Sequence, residues 1–258
     1  MHIDLNADMG EGFGAYRIGH DEELLGIVTS ANVACGFRAG DATIMRNLAL
    51  LAKEKGAGLG AHPGFNDLWG FGRRQITMNA SALEYQIAYQ LGALQGLAAY
   101  AGSRVRHVKV HGALYNMAAK DASYAGAIAC AVKTVDAKLI LVGLPGSEMQ
   151  KAADREGLLY AREGFCDRLY QDDGNLMPRT VKGSVISDPA AAAQQALRFA
   201  RDCEVLAASG ARIKLQVDTL CIHGDEAGAV ATAAAVKKAL EGAGIKLAPM
   251  FASETSRS

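Results

Sequence analysis

The stretch His2-Ile3-Asp4-Leu5-Asn6, followed by Ala7-Asp8-Met9-Gly10-Glu11-Gly12-Phe13-Gly14, decides the fold of this chain. The first five residues alternate in polarity, which predicts a short β-strand. The next eight contain three glycines and two carboxylates, which predicts a flexible loop. Because loops after parallel strands converge on one face, Asp8 and Glu11 are predicted to form the first wall of a site. A solvated surface loop is the alternative.

The same order of strand, polar loop and helix recurs along the chain. Further strands are predicted at 30–34, 57–61, 107–110, 138–142, 158–162, 219–222 and 245–249. Helices are predicted at 41–55, from 79 or 81 to 102, at 121–135, from 147, from 188 to 210 and from 225 to 241, because each starts at a capping residue. Asp173-Gly174 predicts a small hairpin. These units predict an α/β fold, an irregular TIM-like (β/α) barrel of about seven strands, with a doubly wound open sheet as the alternative.

Composition narrows the class of protein. The 258 residues are half hydrophobic and predict a single domain over 1–258, with a polar tail from about 253. With 27 basic and 27 acidic residues, nothing draws the chain to nucleic acid or to an anionic membrane. The five cysteines include no CxxC pair, and no leader or long apolar run is visible, so we expect reduced thiols and a cytoplasmic location.

Polar residues gather at the predicted strand ends: Asp4, Asn6, Asp8, Cys35, His62, His111, Glu163 and His223. A single histidine at a strand end is usually structural. Three of the six histidines, each followed by glycine or Pro-Gly, instead predict a site, because glycine lets the backbone approach a ligand. Cys35 is expected to be core, and His2, His20 and His107 to be structural. Arg73 and Arg74 are predicted either to clamp an anion or to lie at the surface.

Longer motifs carry a resemblance to a known family. They are Asp4 to Glu11, Ala31 to Phe37, Gly60 to Gly64, Gly70 to Arg74, Val110 to Asn116, Glu163 to Phe165, Pro178-Arg179 and Ile222 to Asp225. Together they resemble the LamB/YcsF family over residues 3 to 251. The resemblance implies an irregular barrel related to the glycoside hydrolase/deacetylase type. It also implies ATP-dependent cleavage of 5-oxo-L-proline to L-glutamate, as an A subunit working with 5-oxoprolinase subunits B and C.

Under this resemblance, roles follow for the residues of the matching motifs. His62 and His111 are expected to transfer protons or to stabilise an oxyanion, with Asp8 and Glu11 orienting water or Mg²⁺. Substrate or ATP binding is expected from Asn6, Arg38, Arg74, Asn116, Glu163, His223 and Asp225. ATP is the expected co-substrate, and Mg²⁺ is a candidate cofactor.

The chain departs from the family pattern at two positions, Ala7 for a frequent cysteine and Arg38 for a histidine. Arginine does not ligate a cation and favours an anion, so Arg38 is predicted to bind phosphate or to alter or remove the activity. Two other functions stay open. One is a metal-dependent amidohydrolase or deacetylase that acts without ATP through Asp8, His62 and His111. The other is a subunit that binds 5-oxoproline or a nucleotide for its partners.

Overall fold

The architecture is a closed parallel barrel wrapped by helices. The structure, a computed structural model, describes residues 2–225 and 228–250. The strands are β1 His2–Met9, β2 Ser30–Ala34, β3 Gly58–His62, β4 Val105–Lys109, β5 Ile140–Gly143, β6 Leu159–Phe165, β7 Glu204–Leu206, β8 Arg212–Lys214, β9 Thr219–Ile222 and β10 Lys246–Leu247. The helices are α1 Asp21–Leu25, α2 Ala42–Lys55, α3 Ala80–Tyr100, α4 Gly112–Ala118, α5 Ala122–Val135, α6 Glu148–Glu156, α7 Pro189–Asp202 and α8 Ala229–Gly242.

Pairing between β1 and β9 closes the barrel. The strands run in the order β1-β2-β3-β4-β5-β6-β9, all parallel, and β9 returns to β1. This confirms the predicted seven-stranded barrel and excludes the open sheet, whose edge strands would remain unpaired. β10 pairs with the first residues of β1, outside the ring.

Helix starts agree with the predicted capping residues. The side chains of Asp41, Asp121, Ser147 and Asp188 each accept a backbone N–H of the first helical turn. The first four backbone N–H groups of a helix have no acceptor within the helix, so a side chain that accepts one of them fixes the helix start locally. Asn79 caps α3. The Asp173-Gly174 hairpin is also confirmed, through the antiparallel bridge between Tyr170 and Leu176.

Several predicted boundaries of strands and helices are wrong. β1 continues to Met9 and β6 to Phe165, so Asp8 and Glu163 lie on strands. α7 ends at Asp202, and the hairpin of β7 and β8 follows. Gly228, not Asp225, precedes α8. Helices α1 and α4 were not predicted. The predicted tail from 253 lies outside the described residues.

The barrel has a polar interior and an apolar outer layer. Along β1, Ile3, Leu5 and Met9 belong to the apolar core shared with the helices. The alternate residues Asp4, Asn6 and Asp8 are also buried and point inward, since neighbours on a strand face opposite sides. Within the described residues, no helix combines the length and apolarity needed to cross a bilayer.

Candidate active site

The carboxylate of Asp8 is the centre of a buried hydrogen-bonded cluster at the C-terminal end of the barrel. Its Oδ1 accepts Asn32 Nδ2 at 2.9 Å and Lys109 Nζ at 2.9 Å, while Oδ2 lies 3.2 Å from His62 Nε2. Burial alone would raise the pKa of Asp8, but His62 and Lys109 outweigh burial and hold it well below its usual range. Asp8 is therefore ionised at neutral pH.

Hydrogen bonds fix the proton of each active-site imidazole. His62 Nδ1 lies 2.6 Å from the carbonyl oxygen of Lys109, and His111 Nε2 lies 2.9 Å from that of Phe71. Since a carbonyl oxygen only accepts, both of these nitrogens carry the hydrogen in the neutral ring. Burial lowers the pKa of His62 to about 4, and burial with the charge of Arg38 holds that of His111 well below its usual value. Both rings are neutral at neutral pH.

The two remaining ring nitrogens face each other with lone pairs. His62 Nε2 and His111 Nδ1 are 3.0 Å apart, and His62 Nε2 also lies against Asp8. Two acceptors at this distance leave a place for one proton or one cation between them. The pair, oriented by backbone carbonyls, is therefore arranged as a general base.

A strained loop residue holds His111 in place. Phe71 has a positive φ of 56°, which is costly for a residue with a bulky side chain. This backbone turns its carbonyl toward His111, and its ring packs edge-on against the same imidazole at 5.5 Å. The unfavourable backbone thus supports the orientation of one member of the histidine pair.

Glu11 and Arg38 form a buried ion pair beside the histidines. Arg38 Nη1 lies 2.5 Å from Glu11 Oε1, and both side chains are almost fully buried. Burial, partly offset by Arg38, raises the pKa of Glu11. Arg38 Nε and Nη2 have no hydrogen-bond partner among the described residues. The arginine predicted to favour an anion is thus paired with a carboxylate of the protein.

Lys109 was missed as a site residue by the sequence analysis. Lys109 Nζ lies 2.8 Å from Glu163 Oε1 and 2.9 Å from Cys221 Sγ, besides its contact with Asp8. Burial would lower the pKa of Lys109, but these neighbours raise it well above its usual value. The signal that could have found Lys109 is the alternation of His107 and Lys109 with Val108 and Val110, which belong to the apolar core.

His107 is structural, as predicted, but it lies inside the barrel and not at a strand start. Its Nε2 is 2.8 Å from Asn32 Oδ1, and the amide of Asn32 also binds Asn6 Oδ1 at 2.7 Å. Gly60 faces His107 across the β3–β4 pair, and a Cβ there would lie 2.0 Å from the ring. Glycine at position 60 makes room for the imidazole that orients Asn32.

A cavity of about 860 Å³ opens at the barrel mouth. Of the residues predicted for the site, Asp8, His62, His111, Asn116 and His223 line it. The ring of His223 stacks on Phe165 at 5.5 Å, and its Nδ1 lies 2.9 Å from Asp167. The wall also contains Arg73, Lys120, Arg168 and Arg179. Asp8 and the histidine pair therefore share one cavity with a group of cationic residues.

The other predicted residues lie behind or beside this cavity. Asn6 and Glu163 are in the barrel interior, where Asn6 Nδ2 donates to Glu163 Oε1 at 3.2 Å. Arg74 pairs with Asp67 and keeps 64% of its side chain exposed, so the arginine of this loop in the cavity wall is Arg73. Asp225 accepts Arg73 Nη2 at 2.5 Å. Cys35 is core, as predicted, and burial raises its pKa to about 12.

The donor set of Asp8, Glu11, His62 and His111 also fits a cation. One ligand atom from each of the four lies within 4.8 Å of the others. Carboxylate oxygens and neutral imidazoles with free lone pairs are typical ligands of zinc and similar divalent ions. Arg38 and Lys109 already neutralise the two carboxylates, which lowers the attraction for such an ion.

The fold and this cluster define a (β/α) barrel with an acid–histidine site at its C-terminal mouth. The sequence profile of the LamB/YcsF family matches residues 3–255, and the chain belongs to that family. The A subunit of a 5-oxoprolinase from Rhodopseudomonas palustris (strain BisB18) is 50% identical over 248 residues, covering 96% of this chain and 97% of that protein. The corresponding protein of Brevibacillus brevis is 48% identical over 250 residues, covering 97% and 98%.

Solved structures agree with the barrel. The crystal structure of a lactam utilization protein from Thermus thermophilus has a TM-score of 0.91 and 44% identity, covering 96% of this chain and 99% of that one. A peptidoglycan N-acetylglucosamine deacetylase has a TM-score of 0.50 and 10% identity, covering 97% and 86%. At that identity the second likeness concerns the fold alone.

Proposed function

We propose that this chain is the A subunit of an ATP-dependent 5-oxoprolinase and that its acid–histidine cluster opens the lactam ring of 5-oxo-L-proline. The observation that carries the proposal is the meeting of two unprotonated ring nitrogens with the ionised Asp8 in one cavity. The relatives named as A subunits of 5-oxoprolinase support the substrate. Their being named as subunits supports the need for partners, here subunits B and C.

The chemistry explains why both a base and ATP are needed. The lactam carbonyl is stabilised by amide resonance, and phosphorylation of its oxygen by ATP makes the carbon electrophilic. The His62–His111 pair then takes a proton from water, whose oxygen adds to that carbon. The C–N bond breaks, the nitrogen takes a proton, and an acyl phosphate of glutamate results. A second water hydrolyses this acyl phosphate to glutamate and inorganic phosphate, while ADP is the product of the phosphorylation. Mg²⁺ accompanies ATP in this proposal, and a cytoplasmic location fits the five free cysteines.

The test is release of glutamate and ADP from 5-oxoproline and ATP. It compares this chain alone, the chain with subunits B and C, and the full mixture with His111→Ala. We expect glutamate only in the full mixture, and a loss of about a hundredfold or more in the variant, as for removal of a general base. His20→Ala is the matched control, because the side chain of His20 is 54% exposed and pairs with the exposed Glu23.

Two other results would contradict the proposed role. Turnover that needs the partners but survives His111→Ala would show a subunit that binds substrate for its partners. An inert full mixture would show that Arg38 has redirected or disabled the site.

The four-ligand set favours a second candidate, a metal-dependent amidohydrolase that acts without ATP. It predicts stoichiometric divalent metal in the purified protein and amide hydrolysis that a chelator abolishes and ATP does not affect. We place this candidate second because Glu11 and Asp8 already form ion pairs with Arg38 and Lys109. Purified protein without divalent metal would exclude it.

A further inference from the structure

Arg168 has an unusual position in the cavity wall. It follows β6 and lines the cavity that contains Asp8 and the histidine pair, yet only 3% of its surface is exposed. Arginine is almost never fully buried unless it is paired. The partners of its guanidinium group are therefore informative.

Arg168 hydrogen-bonds to a backbone carbonyl rather than to a carboxylate of the described residues. Nη2 donates to the carbonyl oxygen of Met177 at 2.5 Å, while Nε is buried and has no hydrogen-bond partner among residues 2–225 and 228–250. In the described part of the chain, no carboxylate oxygen lies within 4.0 Å of its nitrogens. The adjacent Asp167 is engaged by the backbone and ring of His223. A buried cation without a paired anion is costly.

Other cations lie near Arg168. Burial, followed by repulsion from Arg179, lowers the pKa of Arg168 to about 10; attraction to Asp167 opposes this lowering, and Arg73 adds to it. Arg168 nevertheless remains charged at neutral pH. The same wall carries the amides of Gln75 and Asn175, which donate to oxygen atoms. The wall thus places further N–H donors beside Arg168.

We propose that Arg168 is the centre of an anion subsite that binds a carboxylate or phosphate group of the small molecule in the cavity. A guanidinium presents a planar edge of two N–H donors, which matches both groups. The subsite deepens the proposed function, on which it rests: 5-oxoproline carries one carboxylate and ATP carries phosphates. It also replaces Arg74, which the sequence indicated, with a residue inside the cavity.

The first experiment measures binding to the isolated chain by calorimetry, with 5-oxoproline, its uncharged analogue 2-pyrrolidinone, ATP and inorganic phosphate. Arg168→Gln should weaken whichever anionic probe the wild type binds by about tenfold to a hundredfold, the range for one charged hydrogen-bonding group. The matched control is Arg201→Gln, at an exposed arginine of α7, and should leave Kd unchanged. A carboxylate ligand is indicated if 5-oxoproline is affected, and a phosphate ligand if ATP and phosphate are.

Wild-type affinity for every anionic probe in Arg168→Gln would overturn the subsite, and so would a wild type that binds none of them. Arg168→Lys keeps the charge but loses the two-donor edge, so it tests the subsite even if the glutamine variant fails to fold. It should weaken the same probe about threefold or more, and an unchanged Kd would count against the proposal. Arginine-dependent binding without turnover in the full mixture would refute the proposed function alone.

Discussion

Replacement of Lys109 by methionine removes the cation that two buried carboxylates share. Lys109 Nζ lies 2.9 Å from Asp8 Oδ1 and 2.8 Å from Glu163 Oε1, and those side chains are only 5% and 0% exposed. Methionine has a similar length and volume, so the variant leaves no large cavity. Its main effect is therefore electrostatic.

The expected cost is about 3–5 kcal/mol of unfolding free energy at about pH 7, the range for removing one partner of a buried ion pair. In the wild type, the low pKa of Asp8 stabilises the fold above the unfolded pKa, and this contribution is lost as the pH falls. In the variant, Asp8 is buried without the Lys109 cation, and its pKa in the folded protein rises above its pKa in the unfolded chain. The variant therefore loses stability as the pH rises, by up to about 1.4 kcal/mol per pH unit for one proton.

Urea unfolding at about pH 7 and pH 5 measures this difference. The difference in unfolding free energy between the wild type and Lys109→Met should be smaller at the lower pH by up to about 3 kcal/mol. Lys133→Met, at an exposed position of α5, is the control and should stay within about 0.5 kcal/mol of the wild type. A gap below about 1 kcal/mol, or one that is the same at both pH values, would refute the reasoning.

Three further predictions concern the base, the barrel interior and the thiols. Because the pKa of His62 is about 4, kcat/KM of the full mixture should be independent of pH near neutrality and fall only below about pH 5. A fall in kcat/KM near the usual histidine pKa would contradict this prediction. In denaturant unfolding, Gly60→Ala should lower the free energy of unfolding by about 3 kcal/mol or more, because its Cβ would meet His107. Gly92→Ala, whose Cβ would meet open space, should raise it by about 0.5–1 kcal/mol. Equal effects of the two variants would exclude the steric cause. Native Cys35, whose pKa burial raises to about 12, should resist a thiol reagent at about pH 8 until the protein unfolds; fast native labelling would show that it is accessible.

Local signals predicted the helices better than the strand ends. Asp41, Asp121, Ser147 and Asp188 bond to amides two or three residues away, so the sequence contains all the information needed. A strand end depends instead on a neighbouring strand that is distant in sequence. For this reason β1 and β6 extend beyond their predicted limits, and Asp8 and Glu163 lie on strands rather than in loops.

The site was predicted only in part, because some of its residues follow local sequence patterns and others are brought together by tertiary packing. His62 and His111 could be found because a histidine before glycine or Pro-Gly at a strand end is a pattern within the chain. Asp8 could be found because it lies in the acidic, glycine-rich stretch that follows the first predicted strand. Arg74 and Arg73 are adjacent in sequence, and only their packing shows that Arg73 lines the cavity while Arg74 pairs with Asp67. Arg168 gave no local signal.

By itself the sequence determined the alternation of strands and helices, a barrel of about seven strands, and Asp8, His62 and His111 at the barrel mouth. Only the tertiary structure decided the charge balance, because the partners of a buried group come from strands far apart in the chain. Lys109 joins Asp8 and Glu163 across the closed barrel, and Arg38 reaches Glu11 from another loop. A buried charge is costly in free energy when its partner is missing, and the cost is offset when the partner is present. These groups become buried only once the barrel is closed.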